Sequence, residues 1–168
     1  DFMIPFYLDK FRGDAYPTYA WGAQAIEVEV DTYTGITKIL GAYASFDVGT
    51  PMDYNNVMGQ MEGGFLQGIG YASTEFMNYD NKGRIRNNSF SDYLIPTAVD
   101  VPVLNCQLHV EEYPFGPYGA KGAGALPLVG AAPAYVEAIE QALGGVVRLL
   151  HSPFTAEDTI KILEKEEA

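Results

Sequence analysis

One segment, residues 59–70, combines five glycines with two glutamines where hydrophobic spacing predicts a helix. Five interior glycines forgo roughly 4–5 kcal/mol of helix propensity relative to alanine. Close approach of another backbone or of a ligand is the usual reason to accept that cost. Four of its residues share one helical face: Gln60, Gly63, Gly64 and Gln67. The glutamine amides, lying over backbone that no side chain covers, would suit a flat polar heterocycle. The alternative is that the glycines allow tight packing against a neighbouring helix, and the pattern alone favours this alternative.

A second glycine-rich segment, residues 116–127, precedes another predicted helix. Its backbone N–H groups can converge on an anion, the helix N-terminus adds partial positive charge, and Lys121 adds a full one. The segment is not a P-loop, because no Gly-Lys-Ser/Thr follows. It is not a dinucleotide fingerprint either, because Pro127 stands where the third glycine belongs. An anion site and an ordinary turn both stay open.

The remaining reactive side chains form no recognisable constellation. Cys106 and His109 lie three positions apart on a predicted strand, which places them on opposite faces and argues against a shared metal ion. Cys106 is expected to be a small core residue. His151 has no evident partner, and the adjacent Glu111 and Glu112 are expected to be a solvated pair. No Ser/His/Asp set can be assigned from spacing.

Composition narrows the function classes. The chain has 168 residues, 48% of them apolar, which suits one domain over residues 1–168 with a sizeable core. A net charge of −12 argues against nucleic-acid binding. A single cysteine excludes an internal disulfide and fits a reducing, cytoplasmic location. No stretch has the length of a membrane span. The start lacks signal-peptide features and a methionine, so we expect a processed or excised piece.

The hydrophobic pattern changes period along the chain. Residues 1–24 are aromatic and aperiodic, which predicts an extended arm that docks on an apolar surface. Strict alternation over residues 25–31 and a Thr-Gly turn predict a β-hairpin over 26–46. Alternation returns over 104–110, which predicts a further strand.

Helical spacing predicts main helices near 56–76 and 128–143. Asn55 or Asn56 is the expected cap of the first, which extends to residue 78 at most, and Gly144–Gly145 ends the second. Thr155 is expected to cap a last helix that continues to Ala168. Together, the predicted strands and helices indicate an α+β fold, with a mixed sheet that includes a hairpin and with two to three helices.

Several segments together resemble one family, the xanthine dehydrogenase and aldehyde oxidase enzymes, in the C-terminal part of their molybdopterin-binding large subunit. Residues 46–49 followed by 59–70 resemble the family's glutamine segment, which contacts the molybdopterin. Residues 92–102 resemble a run found in its bacterial members. Residues 116–124 resemble its final active-site loop. The resemblance covers about residues 17–163.

This resemblance implies part of a molybdenum hydroxylase that oxidises purines, N-heterocycles or aldehydes with water as the oxygen source. It implies a molybdenum–molybdopterin cofactor, in a dinucleotide form, shared with the rest of the subunit. It places iron–sulfur clusters and FAD on partner domains or subunits. The cofactor-binding residues that it implies are Gln60, Gly63, Gly64, Lys121, Gly122, Ala123 and Gly124.

Two departures from the family pattern limit what the resemblance implies. Ala125 stands where the family has a glutamate that acts as general base, and a methyl group cannot accept a proton. Asp53–Tyr54 replaces a common Asn-Pro. A non-catalytic family member, serving in assembly or binding, is therefore the alternative function. Without the rest of the subunit, we expect the isolated chain to expose apolar patches and self-associate.

Overall fold

The computed structural model describes residues 6–13, 16, 18–145 and 151–166. Its centre is a mixed three-stranded sheet of β3 (Trp21–Val30), β4 (Thr37–Asp47) and β5 (Leu104–Leu108), in the order β3-β4-β5. β3 and β4 are antiparallel, whereas β4 and β5 are parallel. A separate two-stranded ladder joins β1 (Phe6–Tyr7) to β2 (Arg12–Gly13).

The hairpin of β3 and β4 follows from its alternating residues. Ile26 and Val28 are half-buried, whereas Glu27 and Glu29 are exposed. The turn is closed by Asp31, whose carboxylate accepts hydrogen bonds from two backbone N–H groups. The predicted hairpin is confirmed, but β3 begins at Trp21. The last four residues of the predicted arm therefore belong to the sheet, because the long partner β4 continues the ladder as far as Asp47.

The first helix, α1 (Tyr54–Ser73), is capped by Asp53, whose side chain accepts a hydrogen bond of 3.0 Å from the Asn56 N–H. The predicted caps, Asn55 and Asn56, were wrong by two to three residues. The predicted end at 76–78 was also too late. The N–H groups of Thr74 and Glu75 both donate to the Gly70 carbonyl, so the helical hydrogen-bond pattern stops there.

The second helix, α2 (Leu126–Ala142), begins two residues before the predicted start, and Pro127 occupies its first turn. Gly144 and Gly145 follow its end with positive φ, as predicted. The third helix, α3 (Ala156–Glu166), begins after Thr155, which exchanges hydrogen bonds with Asp158 as a cap. The predicted final residues of α3, 167–168, lie outside the described residues.

Both α1 and α2 pack on one face of the sheet and against each other. The core beneath them divides into two clusters. One is built around Phe46, Met61 and Phe65 and lies near the ends of β4 and β5; the other contains Tyr135 and Ile139 and extends towards α3. The predicted α+β class with a mixed sheet is confirmed. Among the described residues, no helix combines the length and the apolar character needed to cross a membrane.

Candidate functional site

The two glycine-rich segments meet through one hydrogen bond. Gln60 lies on the exposed side of α1, and its Nε2 donates to the Gly124 carbonyl at 2.7 Å, across 64 positions of sequence. The amide of Gln60 still offers a second N–H and its oxygen to a ligand. The structure therefore brings Gln60 into direct contact with the loop of residues 121–124.

The glycines of α1 fall into two groups with different surroundings. A β-carbon at Gly64 would lie 2.4 Å from Pro127 Cγ, and one at Gly68 would lie 2.6 Å from Ala131 Cβ. These two glycines let α2 approach. Beyond the adjoining backbone of α1 itself, a β-carbon at Gly59 or Gly63 would meet no atom of the described residues within 4 Å. Gly64 therefore lies in the helix–helix contact, which is the alternative that the glycine pattern favours, and it is not part of the open surface beside Gln60.

The loop that contacts Gln60 carries two more glycines with open surroundings. Neither Gly122 nor Gly124 has positive φ, and within the described residues nothing lies within 4 Å of a β-carbon built on either. The Ala123 methyl, in contrast, is partly buried against the core. We call Gly59, Gly63, Gly122 and Gly124 the bare patch; it borders Gln60 on both segments.

Lys121 is not a free cation. Its Nζ lies 2.5 Å from Asp47 Oδ2, and the two side chains are only 8% and 10% exposed. Burial by itself raises the pKa of Asp47. The hydrogen bond from Lys121, the N–H of Gly49 and the lysine charge outweigh that effect and hold the pKa below its usual value. The positive charge expected to serve an anion is neutralised within the chain.

Backbone contacts fasten the start of this loop to the end of β4. The Lys121 N–H donates to the Val48 carbonyl at 2.8 Å, and Thr50 N–H donates to the Gly119 carbonyl at 2.9 Å. Gly119 has φ +80, and a β-carbon there would lie 2.5 Å from Glu112 Cγ. Asp47 was not among the predicted site residues. The signal was its place directly after the predicted hairpin, which ends at residue 46, in the segment that resembles the family.

Ala125 is exposed, at the N-cap position of α2, and provides no side-chain cap. It directly follows Gly124, whose carbonyl accepts the bond from Gln60. On the other side, Gln24 Nε2 donates to the Pro127 carbonyl at 2.7 Å and ties the start of α2 to β3. A longer side chain at position 125 would therefore extend from a residue that is adjacent to the bare patch.

The other candidate residues provide no second site. Cys106 packs against the core, and burial, followed by the nearby charge of Glu62, raises the pKa of its thiol. His151 has a partner that the sequence did not indicate, because its Nε2 lies 3.6 Å from Asp158 Oδ1. In the described part of the chain, no three His, Cys, Asp or Glu side chains are placed to hold a metal ion.

Residues 3–102 match the family model described as the molybdopterin cofactor-binding domain. The chain belongs to the molybdopterin-binding xanthine dehydrogenase/aldehyde oxidase family. The carbon monoxide dehydrogenase large chain of Hydrogenophaga pseudoflava is 34% identical over 149 residues, which cover 88% of this chain and 19% of that protein. Aldehyde oxidase 4 of Cavia porcellus is 38% identical over 120 residues, which cover 69% of this chain and 9% of that protein.

Solved structures of the family share the fold. Quinoline 2-oxidoreductase from Pseudomonas putida 86 superposes with a TM-score of 0.82 at 33% identity, over 87% of this chain and 19% of that chain. The aldehyde oxidoreductase from Desulfovibrio gigas gives a TM-score of 0.80 at 31% identity, over 90% of this chain and 16% of that chain. This family member thus spans about a tenth to a fifth of the length of its relatives.

Proposed function

We propose that this chain forms one wall of the cofactor site of a molybdenum hydroxylase, with Gln60 and the bare patch facing the molybdopterin. The bare patch is the observation that carries the proposal. Its four glycines lie around the Gln60–Gly124 hydrogen bond, and neither backbone conformation nor packing within the described chain requires glycine there. A partner that approaches the backbone from outside accounts for all four.

The residues of the patch fit a pterin. A flat heterocycle with donors and acceptors on its edges matches a glutamine amide beside backbone that no side chain covers. When bound, the molybdenum–molybdopterin group supplies the redox chemistry, which the protein orients and encloses. In this proposal Gln60 donates to the group or accepts from it, while Gly63, Gly122, Gly124 and the Ala123 backbone give it room. Gly64 contributes through the packing of α1 on α2.

The complete enzyme, in this proposal, draws its other parts from outside the chain. These are the remainder of the molybdopterin subunit, which closes a dinucleotide form of the cofactor, and iron–sulfur and flavin domains or subunits, which take the electrons. Relatives named as a large chain and as a subunit of a dehydrogenase complex support an assembly of this kind. Relatives named for aldehydes, quinoline and hypoxanthine support aldehydes, N-heterocycles or purines as substrates.

A non-catalytic role in assembly or binding is the second candidate, and Ala125 is the observation that favours it. Its exposed methyl borders the bare patch and offers no proton acceptor. In that case the chain holds the cofactor or the subunit interface without turning over ordinary family substrates.

The test of cofactor binding is the molybdenum content of the complete enzyme that carries Gln60→Ala. We expect a lower molybdenum-to-protein ratio with unchanged assembly, because the exposed amide is lost while the core is untouched. Gln141→Ala is the matched control, since Gln141 is exposed on the last turn of α2 and its side chain bonds the neighbouring Glu137. Full molybdenum occupancy in the Gln60 variant would reject the proposed role.

A further inference from the structure

We propose that Asp47 is a positioning residue which, through Lys121, holds residues 121–124 in the conformation that receives the cofactor. The inference rests on the cofactor-binding function proposed above. It assigns Lys121 to the support of the site and not to direct contact with an anion. Asp47 itself lies at the end of β4, and among the described residues its carboxylate has no hydrogen bond to the bare patch.

The geometry of the pair supports this assignment. Both side chains are about nine-tenths buried, and the ammonium lies directly on the carboxylate. The other carboxylate oxygen of Asp47 accepts the Gly49 N–H at 2.9 Å. A lysine committed to a buried carboxylate is held by charge and by hydrogen bonds, and withdrawing it to serve a ligand would leave Asp47 buried without its partner.

The loop is held at three places, and the ion pair secures the first of them. Gly122 and Gly124 carry no side chains, so they add no packing of their own. The loop is held at its start by the Lys121 side chain and backbone, in its middle by the Ala123 methyl, and at its end by Gln60 and α2. Asp47 thereby connects the end of β4, through Lys121 and the loop, to the Gly124 carbonyl and the amide of Gln60.

Two models of Lys121 give opposite results for Asp47→Asn. If Lys121 positions the loop, removing either partner destroys the same arrangement, and the two substitutions are not additive. If Lys121 binds an anionic group of the cofactor directly, Asp47→Asn releases the lysine for that group, and molybdenum is retained or increased. Lys121→Met loses molybdenum in both models, so the Asp47 variant and the double variant decide between them.

The experiment uses the complete enzyme with Asp47→Asn, Lys121→Met and both together. Molybdenum content and the hydrogen-exchange rate of the Lys121 amide, which donates to Val48, are measured in each. We expect each single variant to weaken molybdenum retention about tenfold, as loss of supporting residues around a metal site does. The double variant should be no worse than the singles, and the amide should exchange faster in all three. Lys121→Arg keeps a cation beside Asp47. It should therefore retain more molybdenum than Lys121→Met, and its amide at position 121 should exchange more slowly.

Several outcomes would overturn the inference. Full molybdenum content in Asp47→Asn would indicate that Lys121 binds the cofactor directly. Additive losses of molybdenum in the double variant would show that Asp47 and Lys121 act independently. Unchanged amide exchange in Asp47→Asn would show that the pair does not hold the loop. Exchange is also measured on the same complete enzyme prepared without its cofactor, so it reports on the anchor even if Gln60→Ala has already rejected the cofactor site. If Asp47→Asn does not fold, the double variant, which leaves no buried charge unpaired, provides the same exchange measurement.

Discussion

Gly68 of α1 lies against Ala131 of α2 so closely that a β-carbon on Gly68 would stand 2.6 Å from the Ala131 methyl carbon. Five residues earlier on the same helix, Gly63 lies beside open space. The two glycines make a matched pair, because both are interior to α1 and only one is covered by the described chain.

Substituting alanine at these two positions should have opposite effects on stability. Gly68→Ala should lower the free energy of unfolding by about 1–3 kcal/mol, because α2 must move away. Gly63→Ala should raise it by about 1 kcal/mol through helix propensity. Chemical denaturation of the two variants measures both changes. If Gly63→Ala is stabilised and also loses molybdenum in the complete enzyme, the result supports the proposed site. If Gly63→Ala is destabilised, another part of the chain packs against Gly63.

Ala125→Glu should raise turnover if the rest of the active site is standard. General-base catalysis contributes about 10²–10⁴-fold, so a carboxylate at this exposed N-cap should produce a large, pH-dependent gain. The measurement is hydroxylation by the assembled enzyme over a panel of purines, N-heterocycles and aldehydes, and Ala125→Gln is the uncharged control. High activity of the natural alanine form, without gain from glutamate, would contradict both the alignment at position 125 and the mechanism.

Asp47 should make stability dependent on pH in the acid range. Its pKa in the folded protein lies below the ordinary value of 3.8, so the unfolded chain binds a proton more readily. The stabilisation is therefore complete above that ordinary value and is lost as the pH falls through the lower, folded-state pKa. Near neutral pH, Asp47→Asn should cost about 3 kcal/mol, as removal of one partner of a buried ion pair does.

The pH dependence of that cost is the measurement. Denaturation curves for the natural protein and Asp47→Asn should converge as the pH falls below 3.8, because the natural carboxylate is then protonated as well. A difference between the two proteins that stays constant over the same range would show that the charge of Asp47 contributes nothing.

The isolated chain should self-associate through surfaces that the rest of the subunit would cover. Trp21 and Phe11, both within the predicted arm of residues 1–24, are 69% and 81% exposed. Exposed apolar side chains of this size favour association. Light scattering at rising concentration should show growing mass, and Trp21→Ser should reduce it more than Tyr33→Ser at the tip of the hairpin. A strict monomer at high concentration would be incompatible with this expectation.

Local patterns in the sequence were sufficient to predict most of the elements. The alternation at 25–31 predicts the hairpin because one face of β3 must be buried, and helical spacing predicts α1 and α2 because each buries one stripe. Helix boundaries were less accurate. The cap at Asp53 and the end at Ser73 depend on individual hydrogen bonds, which the period of the apolar residues does not encode.

The chemistry of the two glycine-rich segments depended on residues far apart in the chain. The sequence by itself determined that Gln60 and Lys121 stand in segments of unusual glycine content, and that the residue at 125 lacks a carboxylate. Only the tertiary structure decided that Gly64 and Gly68 face α2 while Gly59 and Gly63 stay open, and that Lys121 is neutralised by Asp47. The physical reason is that each of these contacts joins residues more than 60 positions apart, and its presence or absence is set by how α1, α2 and β4 pack.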